Sequence, residues 1–99
     1  MKVYQTTFRS FYLYPKTDEI VANVIDITDD IKLNADMNKA MIEHKKLADI
    51  YSDEDLFNVT SNDNKVHIEN DDIYLSNIIE IVTDDYIVKI VIETITREV

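Results

Sequence analysis

IYLSNIIEIVTDDYIVKIVIETITREV, residues 73–99, is the stretch on which the architecture turns. Ile73, Leu75, Ile79 and Ile81 alternate with Tyr74, Ser76 and Glu80. After Asp84-Asp85, Val88, Ile90 and Ile92 alternate with Lys89, Glu93 and Arg97. A period of two with one apolar side is the signature of half-buried strands, and the acidic pair between the runs marks a turn, so the segment reads as a long antiparallel hairpin with one wet face.

An apolar sheet face needs cover, and one other segment has the periodicity to supply it. Leu33, Met37, Ala40, Met41, His44, Leu47, Ala48 and Tyr51 recur at spacings of three and four, which places them on one side of a helix. Thr28 or Asp30 is expected to cap it, with Asp29, Asp30 and Asp36 suiting its positive end. Upstream, residues 3–14 carry Tyr4, Phe8, Tyr12 and Tyr14 on one parity and read as a long first strand. Pro15 suits a turn, and Ile20–Ile27, apolar on both parities, reads as a second strand buried on both faces. Ser52-Asp53-Glu54-Asp55 before Leu56-Phe57 fits either a short capped turn or the approach to a strand at residues 56–60. Ser61-Asn62-Asp63-Asn64 reads as a turn and Lys65–Glu69 as a short strand. The expectation is a single α+β domain over residues 1–99, an antiparallel sheet of about five or six strands packed on one main amphipathic helix.

Composition narrows the chemistry. The 99 residues include no cysteine, which removes disulfides, thiolate metal sites and a cysteine nucleophile. Glycine is also absent, so neither a Walker loop nor a dinucleotide fingerprint is present, and Asn or Asp must take the turn positions that need positive φ. With 45% hydrophobic residues the chain has material for a core. No signal peptide and no membrane-length apolar run is evident, and a cytoplasmic location is expected. The sequon Asn58-Val59-Thr60 carries no weight without an export signal. The richness in Ile, Asn, Asp, Lys and Tyr is the bias of AT-rich coding genomes, such as those of many phages and low-GC bacteria.

No catalytic constellation emerges. His44 lies on the helix's apolar side and reads as a packing residue, and His67, between Val66 and Ile68, is expected to face solvent. The acidic neighbours lack the glycine turn and closing glutamate of a calcium loop. No enzymatic activity, cofactor or metal is therefore expected.

Charge is the informative feature. The net charge is −10, with 20 acids against 10 lysines and arginines. Residues 1–17 hold Lys2, Arg9 and Lys16 and no acid, +3, which leaves −13 for residues 18–99. The helix is neutral, so the excess is expected at turns and strand ends: Asp29, Asp30, Asp53, Glu54, Asp55, Asp71, Asp72, Asp84 and Asp85. Such a surface repels nucleic acid and attracts basic proteins. These acids are the candidate partner-binding residues of an acidic interaction module, with a basic nucleic-acid-binding enzyme as the expected partner. Direct binding of nucleic acid or membrane is not expected. In charge, size and compositional bias, though in no motif, the chain resembles phage-encoded inhibitors of restriction, repair and CRISPR enzymes. The alternative is a homo-oligomeric structural or accessory protein, a homodimer for example, with the Tyr4, Phe8, Tyr12 and Tyr14 stripe packed against a second subunit.

Overall fold

A computed structural model of the chain describes residues 1–13, 25–84 and 86–99. Its elements are β1 (Lys2–Leu13), β2 (Ile25–Asn34), α1 (Met37–Tyr51), β3 (Val59–Glu69), β4 (Asp72–Val82) and β5 (Ile87–Glu98). The strands form one five-stranded sheet in the order β2-β1-β5-β4-β3, with every neighbour antiparallel. One helix on an antiparallel sheet makes this an α+β fold, as the alternation of residues 73–99 predicts.

The β4–β5 hairpin is the spine. Its register sets Ile79 opposite Ile90 and Leu75 opposite Thr94, so one apolar parity from each strand meets on the same face. At the glycine-free turn, the Thr83 and Tyr86 backbones close on each other at 2.8 Å, and the Thr83 hydroxyl accepts from the Tyr86 N–H at 3.0 Å. β1 then pairs along the other side of β5 from Lys2↔Glu98 to Leu13↔Ile87. β1 is thus an interior strand, between β2 and β5, and β5 is the central one.

Helix α1 packs on the face shared by Tyr4, Ile79, Ile90 and Ile92. Its buried residues are Ala40, His44 and Ala48, one per turn, and the two alanines let the helix approach closely. Met37, Met41, Leu47 and Tyr51 flank them half-buried. The core divides in two. Tyr4, Ala40, Ile73 and Leu75 form one cluster, and Ala48, Ile79, Ile81, Ile90 and Ile92 form the other. Burial of each isoleucine or leucine side chain contributes about 1.5–3 kcal/mol.

Four expectations change. The helix begins at Met37, with Asp36 as its N-cap, and the Asp36 carboxylate accepts from the N–H groups of Asn38 at 2.8 Å and Lys39 at 3.3 Å. Leu33 precedes it in β2 and is 61% exposed, and Thr28, Asp29 and Asp30 are also strand residues, so none of these caps the helix. The reason lies in Ile31-Lys32-Leu33-Asn34, whose alternation continues the strand. Second, β2 runs over Ile25–Asn34, so it includes residues 25–27 of the expected second strand and continues well past it, and among the described residues it ends the sheet with Ile31 and Leu33 exposed; residues 20–24 lie outside the described residues. The Pro15 turn and residues 14–24 fall outside the described residues. Third, Ser61–Asn64 is not a turn but lies within β3. The turn comes at Asn70, the residue that takes positive φ (54°), where a short polar side chain stands in for the missing glycine. Fourth, residues 53–57 form a turn and the strand starts at Val59, so the two readings of that region share it.

Candidate functional site

The acidic residues are distributed by strand order. After Tyr51 the chain leaves the helix through Ser52, whose hydroxyl and backbone N–H both donate to the Ala48 carbonyl. The Asp53 carboxylate accepts from the Asp55 N–H at 2.9 Å, and its carbonyl accepts from Leu56 and Phe57. Phe57 stacks on Tyr51 with ring centroids 5.9 Å apart, which anchors the turn carrying Asp53, Glu54 and Asp55. Asp84, on the β4–β5 turn, lies at the same end of the sheet, where the Val82 N–H donates to the Asn58 carbonyl at 2.9 Å. Asp85 falls outside the described residues.

Asp71 and Asp72 occupy the opposite end of the sheet, on the β3–β4 turn. Lys2 reaches Asp72 at 3.1 Å, and that hydrogen bond raises the lysine's pKa. The Tyr4 hydroxyl donates to the Asp71 carbonyl at 2.9 Å. Between the two ends, Asp63 and Glu69 project from β3, exposed. Residues 53–72 therefore hold seven acids and a single base, Lys65, a net charge of −6, with five of the acids at the two ends of β3 and one of these, Asp72, paired with Lys2 of β1. The 11-residue β3 alone is about 36 Å long at ~3.3 Å per residue. Asp29 and Asp30 do not join this edge. They lie in β2 opposite Arg9 and Phe8, on the far side of the sheet and away from turns and strand ends.

One helix cannot cover five strands. A helix is ~10 Å wide, whereas five strands at ~4.8 Å spacing extend over about 20 Å. α1 lies against β5, β1, β4 and β2 and leaves β3 bare. A groove of about 370 Å³ results between them, with Met41, Ala48, Val66, Ile68 and Leu75 as its apolar lining and His44, Asn62, Asn64 and Asn77 among its polar groups. On the other flank a cavity of about 550 Å³ lies above Phe8 and Tyr51, whose rings are 5.0 Å apart. There Glu43 ties the helix to β2, accepting from Lys32 at 2.6 Å and Asn34 at 2.8 Å, and both bonds hold its carboxyl below the usual glutamate pKa.

At the head of the β3 groove runs a buried polar chain that separates the two apolar clusters. The Asn77 amide donates to Asn62 Oδ1 at 3.0 Å, so its own Oδ1 faces His44 Nε2 at 2.8 Å and accepts from it. Burial lowers the His44 pKa, against the smaller opposing effect of the Asn77 bond, and favours the neutral ring. With the proton on Nε2, Nδ1 accepts from the Thr94 hydroxyl at 2.9 Å, and Thr94 accepts from Thr6 at 2.9 Å. Four hydrogen bonds thus run in one direction, Thr6 to Thr94 to His44 to Asn77 to Asn62. No buried side-chain nitrogen or oxygen among the described residues lacks a partner.

A hydroxyl, an imidazole and an amide in line have the outline of a nucleophilic triad, but Thr94 is 0% exposed and its hydroxyl is closed to any substrate. The chain is structural: it satisfies polar groups within the core and fixes the helix over the hairpin. The expectation of His44 as a packing residue holds, with specific partners added. His67 faces solvent as expected, 3.6 Å from Glu69. No group of three His, Cys, Asp or Glu residues among the described residues is arranged to hold a metal ion, and no helix among them is long and apolar enough to cross a membrane.

A single helix on an open five-stranded antiparallel sheet, with one edge bare and acidic, defines the class by shape and charge. No protein family, curated protein or solved structure matches the chain.

Proposed function

We propose that the protein is an acidic interaction module that binds a basic surface on another protein, with a nucleic-acid-binding enzyme as the partner class. The observation that carries this is the acidic edge: a net charge of −6 over residues 53–72, strung along one strand and its two flanking turns. One strand of DNA presents a phosphate every ~3.4 Å, about 11 over the ~36 Å of β3, whereas β3 itself carries a net charge of −1 (Asp63, Glu69 and Lys65) and the other acids gather at its two ends, so the edge resembles two acidic patches a strand length apart more than an even row of charge. A channel built to neutralise phosphates meets a related field here. Asp84 extends the charge at one end, and Asp29 and Asp30 take no part in this edge.

The homo-oligomer reading rests on strand edges that need pairing or protection and on the aromatic stripe Tyr4, Phe8, Tyr12 and Tyr14 of the first strand. Tyr4 is 5% exposed and Phe8 packs on Tyr51, so both are occupied within the chain's own core. Two of the four stripe residues are thus occupied within the chain, Tyr14 lies outside the described residues, and we rest the proposal on the acidic edge.

The test is a pull-down from lysate of a low-GC bacterium with wild-type protein and with an edge variant carrying Asp53→Asn, Glu54→Lys, Asp55→Lys, Asp63→Lys and Asp71→Lys. Asn at position 53 preserves the acceptor for the Asp55 N–H. The expected result is a basic DNA- or RNA-binding protein retained by the wild type alone, released by salt, and losing nucleic-acid binding when the wild type is added. Equal capture by a folded edge variant, or a captured enzyme that keeps its nucleic-acid affinity, overturns the proposal.

A further inference from the structure

Strand β3 combines three properties found together nowhere else among the described residues. It ends the sheet, so among the described residues no strand pairs with one side of its backbone. Its residues from Thr60 to Glu69 are all exposed, and no helix covers either face. On the helix side, Val66 and Ile68 are 61% and 47% exposed and open onto the 370 Å³ groove with Met41, Ala48 and Leu75. The other edge differs: Lys32 and Asn34 of β2 are engaged by Glu43, which ties that edge to the helix.

Natural proteins seldom leave a long edge bare, because it templates pairing with another chain, and charged side chains are a common guard. The guards here are of one predominant sign. Asp63 and Glu69 flank Lys65 on the outer face, and the acidic turns at 53–55 and 71–72 bracket the strand. A second copy would set one −6 edge against another, and a phosphate backbone is repelled likewise. A cationic strand is attracted, so the charges that exclude other partners select this one.

We propose, building on the acidic-edge reading, that β3 is a strand-addition site: an extended segment of the basic partner pairs with its free edge as a sixth strand. The alternate residues of that segment are lysine or arginine on the outer face and aliphatic on the groove face. The backbone supplies affinity, Val66 and Ile68 receive the aliphatic side chains at cross-strand distance, and the acids choose the partner.

The test uses a nine-residue probe peptide of alternating lysine and isoleucine, with two further forms N-methylated at the lysine amides or at the isoleucine amides. All three have the same charge, and in an extended strand successive amides point to opposite edges. Affinity is read by titration at low and moderate salt. The expected result is that one methylated form loses roughly tenfold or more and the other stays within about twofold. The Val66→Ser/Ile68→Ser double variant, which alters exposed side chains alone, is expected to weaken the unmodified peptide several-fold without changing its salt slope. Equal affinity of all three peptides overturns strand addition while leaving charge-driven binding intact. Absence of any low-salt binding overturns both. Concentration-dependent dimerisation of the protein that the double variant abolishes reassigns the edge to a second copy and also overturns the proposal.

Discussion

Replacing Asn77 with leucine probes the one place where the core depends on polarity. The substitution keeps the branching and heavy-atom count of the side chain but removes both ends of the amide's work: the acceptor 2.8 Å from His44 Nε2 and the donor 3.0 Å from Asn62. Asn62 is exposed and turns to water. The His44 Nε2–H, on a side chain 5% exposed between two apolar clusters, has no such recourse. An orphaned buried donor costs about 1–3 kcal/mol. Taking ~2 kcal/mol at ~4–8 °C per kcal/mol for a domain of this size, the melting temperature is expected to fall by about 8–16 °C. His44→Leu combined with Asn77→Leu removes the orphan along with its partner. Thr94 keeps Thr6 within 2.9 Å, so its hydroxyl remains paired. The double variant is therefore expected to cost less than the sum of the single variants by ~0.5–3 kcal/mol. The assay is thermal and urea unfolding of the four proteins at pH 8, where the imidazole is neutral. Additivity within ~0.3 kcal/mol, or a cost below ~0.5 kcal/mol for Asn77→Leu alone, would refute the directed chain of hydrogen bonds.

The same histidine sets a pH dependence. Burial lowers its pKa in the folded state, so its contribution is complete above the unfolded value of about 6.5 and is lost as pH falls from there through the folded pKa. The urea midpoint of the wild type is expected to drop relative to that of His44→Leu on acidification through this window, and a constant difference from pH 8 to pH 5 would count against a neutral buried ring. Asp36→Ala removes the acceptor for two N–H groups at the start of α1 and is expected to destabilise by about 1 kcal/mol, whereas Asp36→Asn stays near wild type in the same melts. At Asn70, where φ is 54°, a valine is expected to cost about 1–2 kcal/mol and a glycine almost nothing; equal effects of the two would show that this turn does not depend on the left-handed conformation.

How legible each element was in the chain follows from how many of its faces are dry. β4 and β5 have one face under the helix and one in water, so their alternation survives into the sequence. β3 has no dry face, and an edge strand of Ser, Asn, Asp and Lys is indistinguishable in composition from a turn, which is why Ser61–Asn64 misled. Leu33 misled differently: it stands four residues before Met37 and fits the helical spacing, yet it belongs to the period-two run that begins at Ile31. The acidic pairs were all visible, but which of them share an edge depends on the order β2-β1-β5-β4-β3, a long-range property that no local pattern encodes. The polar chain did leave a trace. Asn77 and Thr94 interrupt the apolar parities Ile73-Leu75-Ile79-Ile81 and Val88-Ile90-Ile92, and two polar residues on buried parities of neighbouring strands need partners in the core.

The interior position of β1, between β2 and β5, has a bearing on how the protein is made. β1 leaves the ribosome first, yet its partner β5 is the last strand of this sheet to appear, and pairing from Lys2↔Glu98 to Leu13↔Ile87 cannot begin until then. At ~5–20 residues per second the interval from Leu13 to Ile87 lasts about 4–15 s. For that time Tyr4, Phe8 and Tyr12 belong to a nascent strand without its β5 neighbour. Until β5 emerges, β2 is the one neighbour available to β1, and the side of β1 that β5 later fills stands open to other strands.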